Sequence, residues 1–133
     1  MPKGWEVKKL SEILKLNYGK SLLEELRDGE KFPVYGSSGV VGYHSKPIVK
    51  APGIVVGRKG NVGSVFYSFT DFYPIDTVYF VQSEFSFLYL FHLLRTIHFI
   101  DGDAAVPGLN REQAYSNKIY FPGGKLILRC CLK

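Results

Sequence analysis

The segment Pro52–Ser64, which reads PGIVVGRKGNVGS, constrains the fold more than any other part of the chain. Its β-branched run Ile54–Val56 is typical of a buried strand. The run is then broken by three glycines, Gly57, Gly60 and Gly63. Glycine permits positive φ and close approach of the backbone to another surface, and a second apolar run follows. The segment therefore predicts a β-hairpin whose flexible loop carries two cations, Arg58 and Lys59.

A glycine-rich loop with two cations is suited to an anionic partner. Its spacing, Gly-x-x-Gly-x-x-Gly, is neither that of a nucleotide P-loop nor that of a dinucleotide-binding turn. The alternative is an ordinary hairpin with exposed cations, because short motifs of this kind also arise without a function.

The positive charge is concentrated around this hairpin. The chain has 17 Lys and Arg against 12 Asp and Glu, a net charge of +5. Basic and acidic residues cancel in residues 1–30 and in residues 71–133, so the whole excess lies in residues 31–70. The cations of that acid-free segment are Lys31, Lys46, Lys50, Arg58 and Lys59. Such a surface attracts a phosphate backbone, although a chance cluster on a solvated face is the alternative.

Two further loops carry groups suited to nucleic acid. In residues 34–43, Tyr35 and Tyr43 flank a small polar loop that contains Ser37 and Ser38. Tyrosines stack on bases and hydroxyls reach phosphates, but both rings also fit half-buried sheet positions.

The second of these loops, residues 104–111, ends in adjacent amide and guanidinium side chains, Asn110 and Arg111. These side-chain types read adenine and guanine edges. Asn110 is also suited to cap a short helix that begins at Arg111, and the two roles are compatible.

The rest of the chain predicts a single sheet-rich domain with one main helix. Its 133 residues suit one core, and 15% aromatic residues favour strands. The helix is predicted over about 85–100, with Ser86 as its cap, whereas residues 15–20 read as exposed. Asp76 and Thr77 read as a structural turn. Strands are expected near residues 5–10, 32–35, 40–43, 54–56, 66–69, 78–81 and 118–121.

No motif for catalysis or for a metal stands out. Neither Ser37 nor Ser38 lies in a Gly-x-Ser-x-Gly turn, and the histidines have no adjacent nucleophile. The two cysteines, Cys130 and Cys131, are neighbours and no Cys/His spacing suits zinc. We therefore expect no enzymatic activity, no metal and no cofactor. No stretch is apolar enough for a membrane, and a cytoplasmic location is the default.

Five phrases of the sequence, taken in order, resemble one family. They are residues 4–10, 33–43, 54–63, 75–77 and 105–111. The family is the specificity (S) subunit of type I restriction-modification enzymes, and the match is to a single target recognition domain over roughly residues 4–122.

The resemblance implies an α+β fold with a mixed, mostly antiparallel curved β-sheet, one main helix and short helical turns. It implies sequence-specific reading of one half of a bipartite target in double-stranded DNA. Adenine methylation and cleavage would belong to separate modification and restriction subunits, which would be partners of this chain. The expected DNA-binding residues are Lys20, Tyr35, Ser37, Ser38, Tyr43, Arg58, Lys59, Asn61, Asn110 and Arg111.

The end of the chain departs from the family pattern. A complete subunit has two recognition domains, each followed by a long spacer helix, whereas residues 123–133 form too short a tail for that helix. We expect a recognition domain over residues 1–122 and a truncated tail after it. The alternative functions are a fragment that mainly binds the modification subunit or itself, and a homodimer that uses the tail as its contact.

Overall fold

The computed structural model describes residues 5–97, 99 and 108–122. The strands are β1 (Trp5–Lys9), β2 (Lys15–Tyr18), β3 (Phe32–Gly36), β4 (Gly39–His44), β5 (Gly53–Gly57), β6 (Val65–Ser68), β7 (Tyr73–Pro74), β8 (Val78–Gln82) and β9 (Lys118–Pro122). The α-helices are α1 (Phe87–Thr96) and α2 (Arg111–Tyr115), and 3₁₀ turns lie at Leu10–Glu12 and Glu24–Leu26. Within these residues, no helix is long and apolar enough to cross a membrane.

The strands are arranged in three sheets. The largest has the order β2-β8-β5-β6 and is antiparallel throughout. The second has the order β4-β3-β7, in which β3 pairs with β4 antiparallel and with β7 parallel. The third is an antiparallel ribbon of β1 and β9. The predicted α+β class, with mixed but mostly antiparallel strands, is confirmed.

Strand β5 is the centre of the core because both of its faces are buried. Successive side chains of a strand point to opposite sides. Ile54 and Val56 therefore pack in the main cluster with Leu90 of α1, while Val55 packs with Phe72 on the other face. The buried strand predicted from the β-branched run is confirmed, and so is the hairpin, since β5 pairs directly with β6.

Helix α1 is shorter than the predicted 85–100. Ser86 is the N-cap, as predicted, and its Oγ accepts a hydrogen bond from the Tyr89 amide at 3.4 Å. The helix begins at Phe87 because the backbone of Ser86 is not helical, with ψ of 123°. It ends at Thr96 because Ile97 is extended, with ψ of 130°. Residues 98 and 100 of the predicted range lie outside the described residues.

Strand β2 was not expected, because residues 15–20 read as exposed. Leu16 is fully buried beneath the sheet, and it alone supplies the apolar signal of a four-residue strand. The next residue on the same side is Tyr18, which lies opposite Tyr79 of β8. One buried residue is too little periodicity to identify a strand from sequence.

Candidate nucleic-acid interface

Five chain segments meet at one end of the four-stranded sheet, where β2 and β5 end and β6 and β8 begin. We call this surface the convergent face. It is formed by residues 18–20, 36–39, 57–64, 75–78 and 108–111. Residues 104–107 of the last predicted loop lie outside the described residues.

The loop between β5 and β6 is anchored to the turn before β8. The amides of Arg58 and Lys59 both donate to the carbonyl oxygen of Thr77, at 2.8 and 3.1 Å. The Arg58 side chain donates from Nε and Nη2 to the carbonyl oxygen of Asp76, at 3.1 and 2.6 Å. The turn at Asp76 and Thr77 is structural, as predicted, because its carbonyl groups hold the basic loop in place.

The β5–β6 loop is also hydrogen-bonded to the other two predicted loops, the one that contains Ser37 and the one that contains Leu109. The Asn61 amide donates to Ser37 Oγ at 3.3 Å, and Ser64 Oγ donates to the Ser37 carbonyl oxygen at 2.7 Å. The Leu109 amide donates to the Arg58 carbonyl oxygen at 2.7 Å. Sequence reasoning named these loops separately, and the structure brings them together.

Two glycines are required by close packing at this face. A Cβ atom at Gly57 would lie 2.0 Å from the Asn61 carbonyl oxygen and 2.5 Å from Ser64 Oγ. A Cβ atom at Gly19 would lie 1.9 Å from the Ile75 carbonyl oxygen. Real Cβ contacts are never this short, so only glycine allows these segments to approach one another.

Two arginines share one exposed tyrosine at the centre of the face. The Cζ atoms of Arg58 and Arg111 lie 5.2 and 4.7 Å from the ring centroid of Tyr18, within cation–π range. The Tyr18 side chain is 53% exposed, and its ring also contacts that of Tyr79 at 5.2 Å. Arg111 is further fixed because its Nη1 donates to the Leu16 carbonyl oxygen at 3.2 Å.

Beneath these side chains, the Tyr79 hydroxyl ties β8 to the last loop. It donates to the Leu109 carbonyl oxygen at 2.8 Å. Burial raises the pKa of the Tyr79 phenol to about 12, because the phenolate would lose its hydration, and the nearby Tyr18 raises it further. The phenol therefore stays neutral and keeps its hydrogen bond at physiological pH.

The outer surface of the face is polar and has a net positive charge, because its five segments hold four cations and one exposed acid, Asp76. Five predicted residues are exposed there: Lys20, Ser38, Lys59, Asn61 and Asn110. Within the described part of the chain, the two ion pairs are Lys8–Glu6 and His44–Asp28, and neither involves a cation of this face. The chain as described holds no cluster of metal-ligating side chains. The face is thus suited to an anionic partner.

The remaining predicted residues have other positions. Tyr35 is 9% exposed and packs edge-on against Phe72, with ring centroids 5.6 Å apart. Ser37 is half-buried, and its hydroxyl and carbonyl oxygens accept the hydrogen bonds from Asn61 and Ser64 described above. Tyr43 is 47% exposed on β4, and in the described residues no contact joins it to the convergent face. Tyr35 therefore belongs to the core, and Ser37 organises the face from within.

Asn110 has the capping role foreseen for it. Its Oδ1 accepts a hydrogen bond from the Glu112 amide at 2.7 Å, at the start of α2. Its amide nitrogen donates no hydrogen bond within the described residues, and an amide of this kind is a group that reads base edges.

Sequence reasoning missed Tyr18. The sequence contains a weak signal for Tyr18. It lies two residues after Leu16, which places both on the same face of a strand, and it directly precedes a glycine and a lysine. An aromatic residue beside a basic loop is suited to stacking on a base, but one such residue does not identify a binding site from sequence.

Comparison with known proteins gives one family match. Residues 2–128 match the family model described as the type I restriction modification DNA specificity domain. No curated protein sequence matches the chain.

Solved structures of low sequence identity share the fold. The S subunit of a type I restriction-modification system from M. genitalium matches with a TM-score of 0.79 and 17% identity, over 92% of this chain and 35% of that one. The HsdS subunit from Thermoanaerobacter tengcongensis matches with a TM-score of 0.64 and 15% identity, over 99% of this chain and 36% of that one. The chain thus spans about a third of the length of these solved structures.

Proposed function

The chain belongs to the family of type I restriction modification DNA specificity domains, and from this premise we propose that it reads one half of a bipartite DNA target. The proposal takes double-stranded DNA as the partner and the convergent face as the surface that meets it. Its action is recognition without chemistry of its own.

The observation that carries the proposal is the convergence of five segments into one surface with four basic side chains, Lys20, Arg58, Lys59 and Arg111, against one acidic side chain, Asp76. Loops that are separate in sequence are hydrogen-bonded to one another through Ser37, Arg58 and Thr77. A rigid scaffold that presents polar loops is the usual way in which proteins position binding residues. Phosphate contacts would set the orientation on the duplex, and amide or guanidinium groups would read base edges.

Within this surface we assign roles by exposure. Lys20 and Lys59 are exposed and would contact phosphates. The DNA affinity would then fall more steeply with salt concentration for each phosphate contacted. Asn61 and Asn110 carry exposed amides and would contact base edges or the backbone. Ser38 would donate to a phosphate oxygen.

We also propose that methylation and cleavage belong to separate modification and restriction subunits, with which this chain would assemble. This rests on family membership, and one of the matched solved structures concerns complex assembly of the type I R-M system. Co-purification with a modification subunit tests the assembly. The homodimer stays a prediction, which sedimentation at micromolar concentration tests.

The test of DNA recognition is a fluorescence-anisotropy titration with duplex DNA of randomised sequence, at low and at physiological salt. We expect binding that weakens steeply with salt, with an affinity near the micromolar range of a small module. Selection from the randomised pool should then enrich one half-site. Binding to the modification subunit without any DNA binding at low salt would favour the interaction-module alternative instead.

A matched pair of variants locates the contact. The double variant Lys20→Ala with Lys59→Ala should lower the slope of log K against log salt by about 1.8, since each lost phosphate contact removes about 0.9. The control is Lys9→Ala with Lys118→Ala, because these exposed lysines face each other across the β1–β9 ribbon. The control should keep the wild-type slope.

A further inference from the structure

Arg58 and Arg111 are both held over the ring of Tyr18, although two independent phosphate contacts would not need a shared ring. Both guanidinium Cζ atoms lie within 5.2 Å of one ring centroid. They are therefore within about 10 Å of each other, the order of the Debye length at 0.1 M salt, and they repel. Each arginine is nevertheless held there by hydrogen bonds to backbone carbonyl groups, of Asp76 and of Leu16.

Each guanidinium group keeps donors for a ligand. Arg58 uses Nε and Nη2, and its Nη1 donates to no group of the described chain. Arg111 uses Nη1 alone among the described hydrogen bonds. Neither arginine is paired with a carboxylate in the described chain. Two arginines with spare donors around one exposed ring are suited to a single phosphate group, which accepts hydrogen bonds from both.

We propose that Arg58 and Arg111 together hold one phosphate of the DNA backbone and that Tyr18 is the positioning residue of this site. The ring keeps the two guanidinium groups in place before the phosphate arrives, so that little side-chain entropy is lost on binding. This inference rests on the proposed function. It adds the positioning residue Tyr18 and the binding of one phosphate by two arginines. A merely structural role for the two arginines, as ties between loops, is the competing explanation.

The stoichiometry is tested by the salt dependence of DNA binding. The double variant Arg58→Ala with Arg111→Ala should lower the slope of log K against log salt by about 0.9, because one phosphate contact is lost. Each single variant leaves the other arginine on that phosphate and should keep a slope close to that of the wild type. Each single variant should weaken binding about tenfold or more at low salt, since hydrogen bonds to charged groups are lost. A slope change of about 1.8 in the double variant would mean two separate phosphates and would overturn the inference.

The control is Arg95→Ala. Arg95 is also an arginine over an aromatic ring, with its Cζ 5.4 Å from the Phe91 centroid, but it lies on α1 and not on the convergent face. This variant should bind DNA with the wild-type affinity and slope. An equal loss in Arg95→Ala would show that arginine removal acts through general charge, which also overturns the inference.

The positioning role is tested at Tyr18, which is 53% exposed but contacts the buried ring of Tyr79, so thermal unfolding of each Tyr18 variant is measured beside its DNA binding. Tyr18→Ala should weaken DNA binding about three- to fivefold at an unchanged salt slope, because both charges remain but are no longer held by the ring. Tyr18→Phe keeps the ring and should bind as the wild type does. Loss of binding in Tyr18→Phe equal to that in Tyr18→Ala would contradict positioning by the ring.

These readouts separate the inference from the proposed function. If the wild-type chain does not bind DNA at low salt, the proposed function fails and the inference with it. If the wild type binds but the Tyr18 and arginine variants do not behave as described, only the inference fails. Should an alanine variant of an arginine not fold, Arg58→Gln and Arg111→Gln, which remove the charge but keep a long polar side chain, test the stoichiometry in the same way, and the Tyr18→Ala and Tyr18→Phe pair tests the positioning role.

Discussion

At the scale of single residues, several side chains of the convergent face have a structural contact together with a polar group that makes no hydrogen bond to the described residues. Asn110 caps α2 with its oxygen and keeps its amide nitrogen, while Arg58 binds the Asp76 carbonyl group and keeps Nη1. A substitution at such a residue changes stability and binding together, so each contribution must be separated by the choice of replacement.

Asn110 allows this separation. Asn110→Ala removes the cap and should cost about 1 kcal/mol of stability. Asn110→Asp keeps the capping oxygen and should stay within about 0.5 kcal/mol of the wild type. The new carboxylate should nevertheless weaken DNA binding, because it repels the phosphate backbone. Thermal unfolding and anisotropy titration of both variants check this, and unchanged DNA binding by Asn110→Asp would remove Asn110 from the interface.

Tyr79 predicts a pH dependence of stability. The folded pKa of about 12 lies above the ordinary value of 10.0, so between these pH values the unfolded chain loses the phenol proton while the folded chain keeps it. The contribution of Tyr79 is therefore complete below pH 10 and is lost as the pH rises through the folded pKa of about 12.

Comparison with Tyr79→Phe isolates this effect from other titrating groups. At neutral pH the variant should be less stable by about 1 kcal/mol, because the hydrogen bond to the Leu109 carbonyl oxygen is lost. The difference should shrink as the pH rises above 10, where only the wild-type unfolded state gains from ionisation. Urea unfolding on both sides of pH 10 measures it, and a difference that does not vary with pH would contradict the assignment.

At the scale of elements, the β5–β6 hairpin decides the geometry of the face, and its loop depends on Gly57. The Gly57 amide donates to the Ser64 carbonyl oxygen at 2.8 Å, and its own carbonyl oxygen accepts from the Gly63 amide at 2.9 Å. The loop is therefore closed by backbone hydrogen bonds directly beside the two cations, and its shape is fixed before any ligand binds.

Gly57→Ala should distort this loop. The added Cβ atom would overlap the Asn61 carbonyl oxygen, and overpacking of this kind costs about 1–3 kcal/mol. We expect a lower melting temperature and weaker DNA binding. Ser38→Ala is the control for stability, since Ser38 is exposed and its replacement should change stability by less than about 0.5 kcal/mol. A Gly57→Ala variant as stable as Ser38→Ala would show that the loop relaxes freely.

The elements also show what sequence patterns can and cannot predict. The run Ile54–Val56 identified β5 because β-branched residues that are buried on both faces leave an unbroken apolar signal. The cap at Ser86 followed from residue type and position. Strand β2 could not be identified, because a single buried leucine shows no alternation of apolar and polar residues. Tyr18 was missed for the same reason, since it lies at the end of that strand.

At the scale of the whole molecule, the convergence of the five segments is the feature that no local pattern predicts. Segments 18–20 and 108–111 are about ninety residues apart in sequence. They meet because β2 pairs with β8, Tyr79 of β8 donates to the Leu109 carbonyl oxygen, and Arg111 donates to the Leu16 carbonyl oxygen of β2. The charge distribution and the residue types predicted most of the exposed groups of the face. They could not predict that Tyr35 is buried or that Ser37 holds two loops together, because both depend on packing between sheets.

The most direct test of the central claim is to map the DNA contact on the intact wild-type chain. Amide chemical shifts of ¹⁵N-labelled protein would be followed during titration with a short duplex at low salt. The account predicts that the largest shifts cluster at Lys20, Ser38, Lys59, Asn61 and Asn110, while the β1–β9 ribbon and α1 remain unchanged. Shifts concentrated on that ribbon or on α1, with the convergent face unperturbed, would contradict it.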